Sequence, residues 1–302
     1  MKFLIYGGNG WIGQQIVHLL REMNHEVIIG QSRIDNYETT LMEVQHINPD
    51  RIICTTGRTS GGNYNNIDYL EGLDKTAENL RDNLQGPVNL GIISNINKTH
   101  VTYLGTGCIY HYDDDHPIPN VLDWDNGKNK NNHGFTEDDK PNFFGSQYSI
   151  VKGMTDQLIR QYDNVLNARI RMPITADLTS PRNFITKILS YENVIDMPNS
   201  MTVLPDLLPV LIDLSINKVT GTVNLVNDGV ISPADVIELY KQYVNPDHKY
   251  NRIPLSQLVT VGKRSNNYLQ CDRLKQLHYV DISDIRTSIT KLFENIQNEV
   301  KD

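Results

Sequence analysis

The apolar run Lys2-Phe-Leu-Ile-Tyr6 ends in Gly7-Gly8-Asn9-Gly10-Trp11-Ile12-Gly13, and helical apolar spacing at Ile12, Ile16, Leu19, Leu20 and Met23 follows at once. A buried strand, a turn with glycines at GxxGxxG spacing and a helix point to a fold built on parallel strands. Such a turn needs positive φ, lets the backbone approach a ligand, and aims the free N–H groups of a helix N-terminus at an anion. Glycines alone are a weak signal; the strand before them and the helix after them make it specific. The pyrophosphate of a dinucleotide fits this turn, with Gly7, Gly10, Trp11, Ile12 and Gly13 as its cradle.

Strand and helix signals then alternate. Strands are expected at 26–29, 51–54, 101–105 and 165–171, with helices at 36–47, over a long stretch 70–96, and from near Ser146. That alternation implies right-handed crossovers and an α/β, Rossmann-like, doubly wound parallel sheet. Beyond Pro173 it loosens, with a helix at 205–216, a strand at 221–226, a helix started by Ser232-Pro233, and a last helix at 285–300. Residues 1–172 are expected to form the main part of a dinucleotide-binding domain. Residues 173–302 are expected to form a small substrate-binding lobe, with at least one segment returning to the sheet.

Composition narrows the class further. The 302 residues carry three cysteines, Cys54, Cys108 and Cys271, an odd number without a CxxC pair, so a disulfide framework is not expected. The longest apolar runs fall short of the ~20 residues that cross a bilayer, and the early glycines do not suit a signal peptide. A formal net charge of -8 argues against nonspecific nucleic-acid binding. A soluble, cytoplasmic protein is expected. The polar stretch 111–140 holds Asp113-Asp114-Asp115 beside His111 and His116. It reads as a solvated functional loop rather than a metal site, because its ligand types lack a fixed scaffold.

Past Gly30 stands Gln31-Ser32-Arg33, where an acid would hold an NAD ribose. Ser32 and Arg33 suit a 2′-phosphate instead, so NADP(H) is favoured; Asp35 keeps NAD open. Tyr148-Ser-Ile-Val-Lys152 puts a phenol and an ammonium on one helix face. The ammonium should lower the tyrosine pKa from about 10 toward neutrality, fitting it to exchange a proton with an alcohol or alkoxide. Thr106, just past the fourth strand, offers a second hydroxyl to the same oxygen.

These motifs, in this order, resemble the extended short-chain dehydrogenase/reductases that act on nucleotide sugars. Longer strings resemble one narrower group. They are Thr106-Gly-Cys108-Ile-Tyr110, Phe135-Thr-Glu-Asp138, Pro141-Asn-Phe143, Gly145-Ser-Gln-Tyr148-Ser149, Arg169-Ile-Arg-Met-Pro-Ile174, Pro181-Arg-Asn-Phe-Ile-Thr-Lys187, Pro198-Asn-Ser-Met-Thr202 and Lys263-Arg-Ser-Asn-Asn267. That group is the UDP-4-keto-6-deoxyglucose 3,5-epimerase/4-reductases of UDP-L-rhamnose synthesis. The segments around 58–62 and 123–133 depart from its pattern.

The resemblance implies NADPH-dependent epimerisation and reduction of UDP-4-keto-6-deoxyglucose, with a separate UDP-glucose 4,6-dehydratase upstream and a homodimer as the assembly. It implies that Cys108 and Lys187 exchange the carbon-bound protons, either one serving as base and the other as acid. A thiol, whose ordinary pKa is ~8.5, is suited to that task. It implies a helix-bending Asn83, a Pro173 near the nicotinamide, a diphosphate clamp at Arg264 with Asn266, and uridine contacts from Asn199, Ser200 and Met201. Arg182 and Asn183 are expected near sugar or diphosphate, while Cys54 and Cys271 are expected to be structural. Two rivals stay open: a reductase that does not epimerise, and a non-catalytic NADP-binding subunit.

Overall fold

A computed structural model describes residues 1–119 and 133–301. Most of the departing segment 123–133 lies outside them. In chain order the first half gives β1 (Lys2–Tyr6), α1 (Trp11–Glu22), β2 (Glu26–Ile29), α2 (Tyr37–Ile47) and β3 (Arg51–Cys54). It continues with α3 (Thr76–Leu80), α4 (Gly86–Asn97), β4 (His100–Thr106), α5 (Gln147–Ile159) and β5 (Val165–Ile170). The second half holds β6 (Pro173–Ile174), α6 (Phe184–Leu189), β7 (Asn193–Ile195), β8 (Thr202–Val203) and α7 (Leu204–Ile216). It ends with β9 (Gly221–Asn224), α8 (Pro233–Tyr243), β10 (Asn251–Ile253), α9 (Asp272–Gln276) and α10 (Ile285–Lys301).

The central sheet runs β2-β1-β3-β4-β5-β9, and every neighbouring pair is parallel. Strands β3 and β5 are buried along their whole length, as strands covered on both faces must be. The chain steps outward from β1 to β2, then returns across β1 to β3. Ligands bind outside the carboxyl ends of strands at such a reversal, which here lies between Gly7 and Thr55.

The long helical stretch expected over 70–96 is bent at Asn83, as the resemblance implies. Two 3₁₀ turns, Ile67–Leu70 and Leu73–Lys75, precede α3, and a π-helical turn at Arg81–Gln85 separates α3 from α4. Asn83 causes the bend. Its fully buried amide accepts from the Arg58 N–H at 2.9 Å and donates to the Arg58 carbonyl at 2.9 Å. Two backbone bonds to another segment draw the helix off its regular course.

The second half serves two cores. α7 and β9 return to the sheet, where Leu207, Leu211 and Val223 join Phe3, Ile16 and Leu166. Ile185, Val194, Ile237, Ile289 and Phe293 form a separate core, over which β6 pairs with β8 and β7 with β10. Caps match their residues: the side chains of Asn36, Ser146 and Ser232 accept backbone N–H bonds at the starts of α2, α5 and α8. In the polar stretch, His116 pairs with Asp113 at 2.8 Å and stacks on Phe135 at 3.8 Å. Among the described residues no group of three His, Cys, Asp or Glu side chains could hold a metal ion, and no helix is long and apolar enough to cross a membrane.

Candidate active site

The glycine turn leaves no room for side chains. Gly7 has φ +82°, and Gly10 N–H donates to Gly7 O at 2.9 Å. A Cβ on Gly13 would stand 2.0 Å from Gly7 O, and one on Gly7 would stand 2.6 Å from Thr55 Oγ1. Gly10 precedes α1 without any side-chain cap, so the helix's first N–H groups remain for an anion. A cradle this bare fits a dinucleotide pyrophosphate.

From the cradle opens a cavity of about 1170 Å³. Single small-molecule sites usually measure ~300–1,000 Å³, so this one has room for a cofactor and a second ligand side by side. Gly10, Trp11, Ile12 and Gly13 line one end together with Thr55, Thr56 and Gly57. Thr106, Cys108, Tyr148, Lys152, Pro173, Arg182 and Lys187 line it further in, with Arg264 and Asn266. Residues from α1, β4, α5 and α6 therefore meet in one space.

Tyr148 is 7% exposed, and burial pushes its phenol above the ordinary value; the Cys108 charge adds to this, and a Thr106 hydrogen bond opposes it. The expected lowering by Lys152 is thereby corrected. Among the described residues, the Lys152 ammonium donates to the Tyr103 hydroxyl, not to Tyr148. Burial also pushes Lys152 down to about 8. A phenol kept protonated at neutral pH is in the form that can give a proton away.

Cys108 sits two residues beyond β4 on a pinned loop. Its N–H donates to Thr106 Oγ1 at 3.1 Å, and its carbonyl accepts from Ser149 Oγ at 2.7 Å. Its sulfur stands 3.9 Å from Arg171 Nη1. Lys187, on α6, is pushed down to about 8 by burial and by the Arg182 charge. An amine in that range exchanges protons readily near neutrality.

Other expected contacts lie elsewhere. Asn199, Ser200 and Met201 are fully buried and do not line the cavity, so their uridine role is corrected. Asn199 Oδ1 accepts from Arg171, Ser200 Oγ accepts from Leu269 N–H at 2.9 Å, and Met201 joins the second core. Asn183 is likewise fully buried: it caps α6 and donates to the Thr175 carbonyl at 2.8 Å. Ser32 and Arg33 follow β2 outside the cavity wall, with Arg33 paired to Asp35 and Asp82, each at 3.0 Å. Arg264 forms a two-pronged pair with Asp68 at 2.8 and 2.9 Å. Cys54 and Cys271 are buried. The sequence reading missed Thr55–Gly57, Asp68, Tyr103 and Arg171; a Thr-Thr-Gly directly after a third strand was the one readable signal among them.

A model of the NAD dependent epimerase/dehydratase family matches residues 3–195. The chain belongs to that family. A protein of Acanthamoeba polyphaga mimivirus is 43% identical over 300 residues, 98% of this chain and 99% of its own. The crystal structure of the UDP-rhamnose synthase from that virus superposes with a TM-score of 0.90, at 43% identity, covering 97% of this chain and 99% of that one. A bifunctional dTDP-4-dehydrorhamnose 3,5-epimerase/dTDP-4-dehydrorhamnose reductase of Arabidopsis thaliana is 36% identical, covering 99% of this chain and 95% of its own. At 18% identity, a dTDP-4-dehydrorhamnose reductase from Bacillus anthracis in complex with NADP shares the fold, with a TM-score of 0.78 over 97% of this chain and 99% of that one.

Proposed function

We propose that the chain is a bifunctional 3,5-epimerase and NADPH-dependent 4-reductase that converts UDP-4-keto-6-deoxy-D-glucose to UDP-L-rhamnose. One observation carries the reading: a single cavity is lined both by Thr106, Tyr148 and Lys152 and by Cys108 and Lys187. The first set serves reduction at a carbonyl, and the second serves proton exchange at neighbouring carbons. The likeness to a UDP-rhamnose synthase and to an epimerase/reductase supports it.

A ketone at C4 acidifies the protons on C3 and C5, because the carbanion delocalises into the carbonyl. Cys108 and Lys187 remove and return those protons on opposite ring faces. The hydroxyls of Thr106 and Tyr148 hold the C4 oxygen and stabilise the charge that gathers there. Gly7, Gly10 and Gly13 would hold a nicotinamide nucleotide, which would supply a hydride for C4. Tyr148 gives its phenolic proton to the oxygen, and Lys152 keeps positive charge beside it. NADPH is favoured because Ser32 and Arg33 follow β2, where a 2′-phosphate would sit. A 4,6-dehydratase must supply the substrate, an activity that Arabidopsis trifunctional relatives carry in the same chain as the epimerase and reductase.

The test is turnover of UDP-4-keto-6-deoxyglucose with NADPH in deuterated water. Deuterium at C3 and C5 of a rhamnose product is expected, and Tyr148→Phe is expected to lose reduction. NADPH oxidation without carbon-bound deuterium would overturn the epimerase half and leave a plain reductase. No oxidation at all would overturn the whole reading.

A further inference from the structure

Arg171 follows β5 and is 1% exposed, yet no carboxylate among the described residues pairs with it. Its guanidinium is held by neutral acceptors: Gly107 O at 3.2 Å, Ser265 Oγ at 2.8 Å, Ser265 O at 3.1 Å, Ser200 O, and Asn199 Oδ1. Burying a cation with no carboxylate partner is costly. The group facing it from the cavity side is Cys108 Sγ, 3.9 Å from Nη1. The same guanidinium nitrogen holds the Gly107 carbonyl, so charge and loop are fixed together. The turn is forced: Met172, the next residue, has φ +41° although it precedes a proline.

We propose that Arg171 is a positioning residue for Cys108: its buried guanidinium fixes the loop carrying the thiol and sets a positive charge beside the sulfur. The proposal rests on the proton exchange proposed above. The sulfur anion is the form that can take a proton from the sugar carbon; in that step the C–H pair moves into the enolate and the proton to sulfur. The charged or titratable groups bearing on this pair are few. Tyr148 and Lys152 face Cys108 from α5, Tyr112 bears on Arg171 from the loop's own side, and Arg171 comes from the end of β5. Burial lowers the Arg171 pKa from its ordinary value, and the Cys108 and Tyr112 charges oppose that.

Cys54 and Cys271 are 0% and 5% exposed, so iodoacetamide on the folded protein reads Cys108. The pH midpoint of alkylation is read in the unsubstituted protein and in each variant. Arg171→Met is expected to raise it by at least one unit, and Arg171→Lys, which keeps the charge, by less. At neutral pH the methionine variant should lose about tenfold in deuterium wash-in, and recover as pH rises, because one unit is a tenfold change in thiolate. Equal midpoints in Arg171→Met and Arg171→Lys, which differ in charge, overturn the proposal. So does an unchanged midpoint in Arg171→Met. Alkylation needs no substrate, so failure of wash-in in the unsubstituted enzyme alone counts against the proposed function and not against this pairing.

Discussion

The Lys152 ammonium donates to the Tyr103 hydroxyl and lies 4.7 Å from the centre of that ring. A strand residue thus receives the charge that the helix motif alone would assign to Tyr148. Tyr103→Phe keeps the ring and removes the acceptor. We expect a loss of about 1–3 kcal/mol in stability, since a buried donor loses its partner. Hydride transfer should slow while KM for the sugar nucleotide stays near its original value. Urea unfolding together with NADPH oxidation checks both; an unfolding midpoint equal to that of the parent would discount the contact.

Gly13 lies inside α1, where alanine ordinarily gains ~1 kcal/mol over glycine. Here the added Cβ would meet Gly7 O at 2.0 Å. Gly13→Ala is therefore expected to destabilise by about 1–3 kcal/mol and to weaken NADPH binding. Thermal melts with and without NADPH read both effects. A variant more stable than the parent, with intact binding, contradicts the cradle geometry.

Lys187 sits at about 8 in the folded chain against an ordinary 10.5. Between those values the unfolded chain holds a proton that the folded chain has released, so stability rises with pH across the window. Below it the buried ammonium is a constant penalty. Lys152, also at about 8, adds in the same direction. Lys187→Met should flatten the rise in urea midpoint from about pH 8 to about pH 10. Equal slopes in the two proteins would refute it.

Asp156 grips the fully buried Arg169 through two bonds of 2.8 and 2.9 Å. Burial pushes this carboxyl up, but the Arg169 charge and hydrogen bonds outweigh it and hold it below its usual range. Asp156→Asn leaves a buried cation and should cost about 3–5 kcal/mol at neutral pH. The carboxylate contributes above its unfolded pKa of ~3.9 and loses that contribution as pH falls through its lower folded value. The gap between variant and parent should therefore narrow in acid. A gap independent of pH would contradict the ionic reading.

Much of the scaffold was legible in local pattern. The 2–6 strand, the glycine turn, the 51–54 strand and the helix from Ser146 lie where apolar spacing and caps put them. The bend within 70–96 was legible only through the resemblance at Asn83, because that side chain answers to Arg58, 25 residues away, and no periodicity registers that bond. The Pro198–Thr202 string was visible as a resemblance, yet its Asn199 and Ser200 side chains are fully buried and absent from the cavity wall. Strings report that residues matter together, not which way each side chain faces.

By itself the sequence determined what is set within a few residues: a glycine turn too tight for any Cβ, a YxxxK face on one helix, and a hydroxyl and a thiol two positions apart after a strand. Only the tertiary structure decided which charges meet. Tyr103 and Lys152 are 49 residues apart, and Arg171 reaches Ser265 across 94. Burial, which moves the phenol up and both lysines down, is a property of the closed fold. Desolvation depends on everything packed around a group, and no stretch of chain contains that information alone.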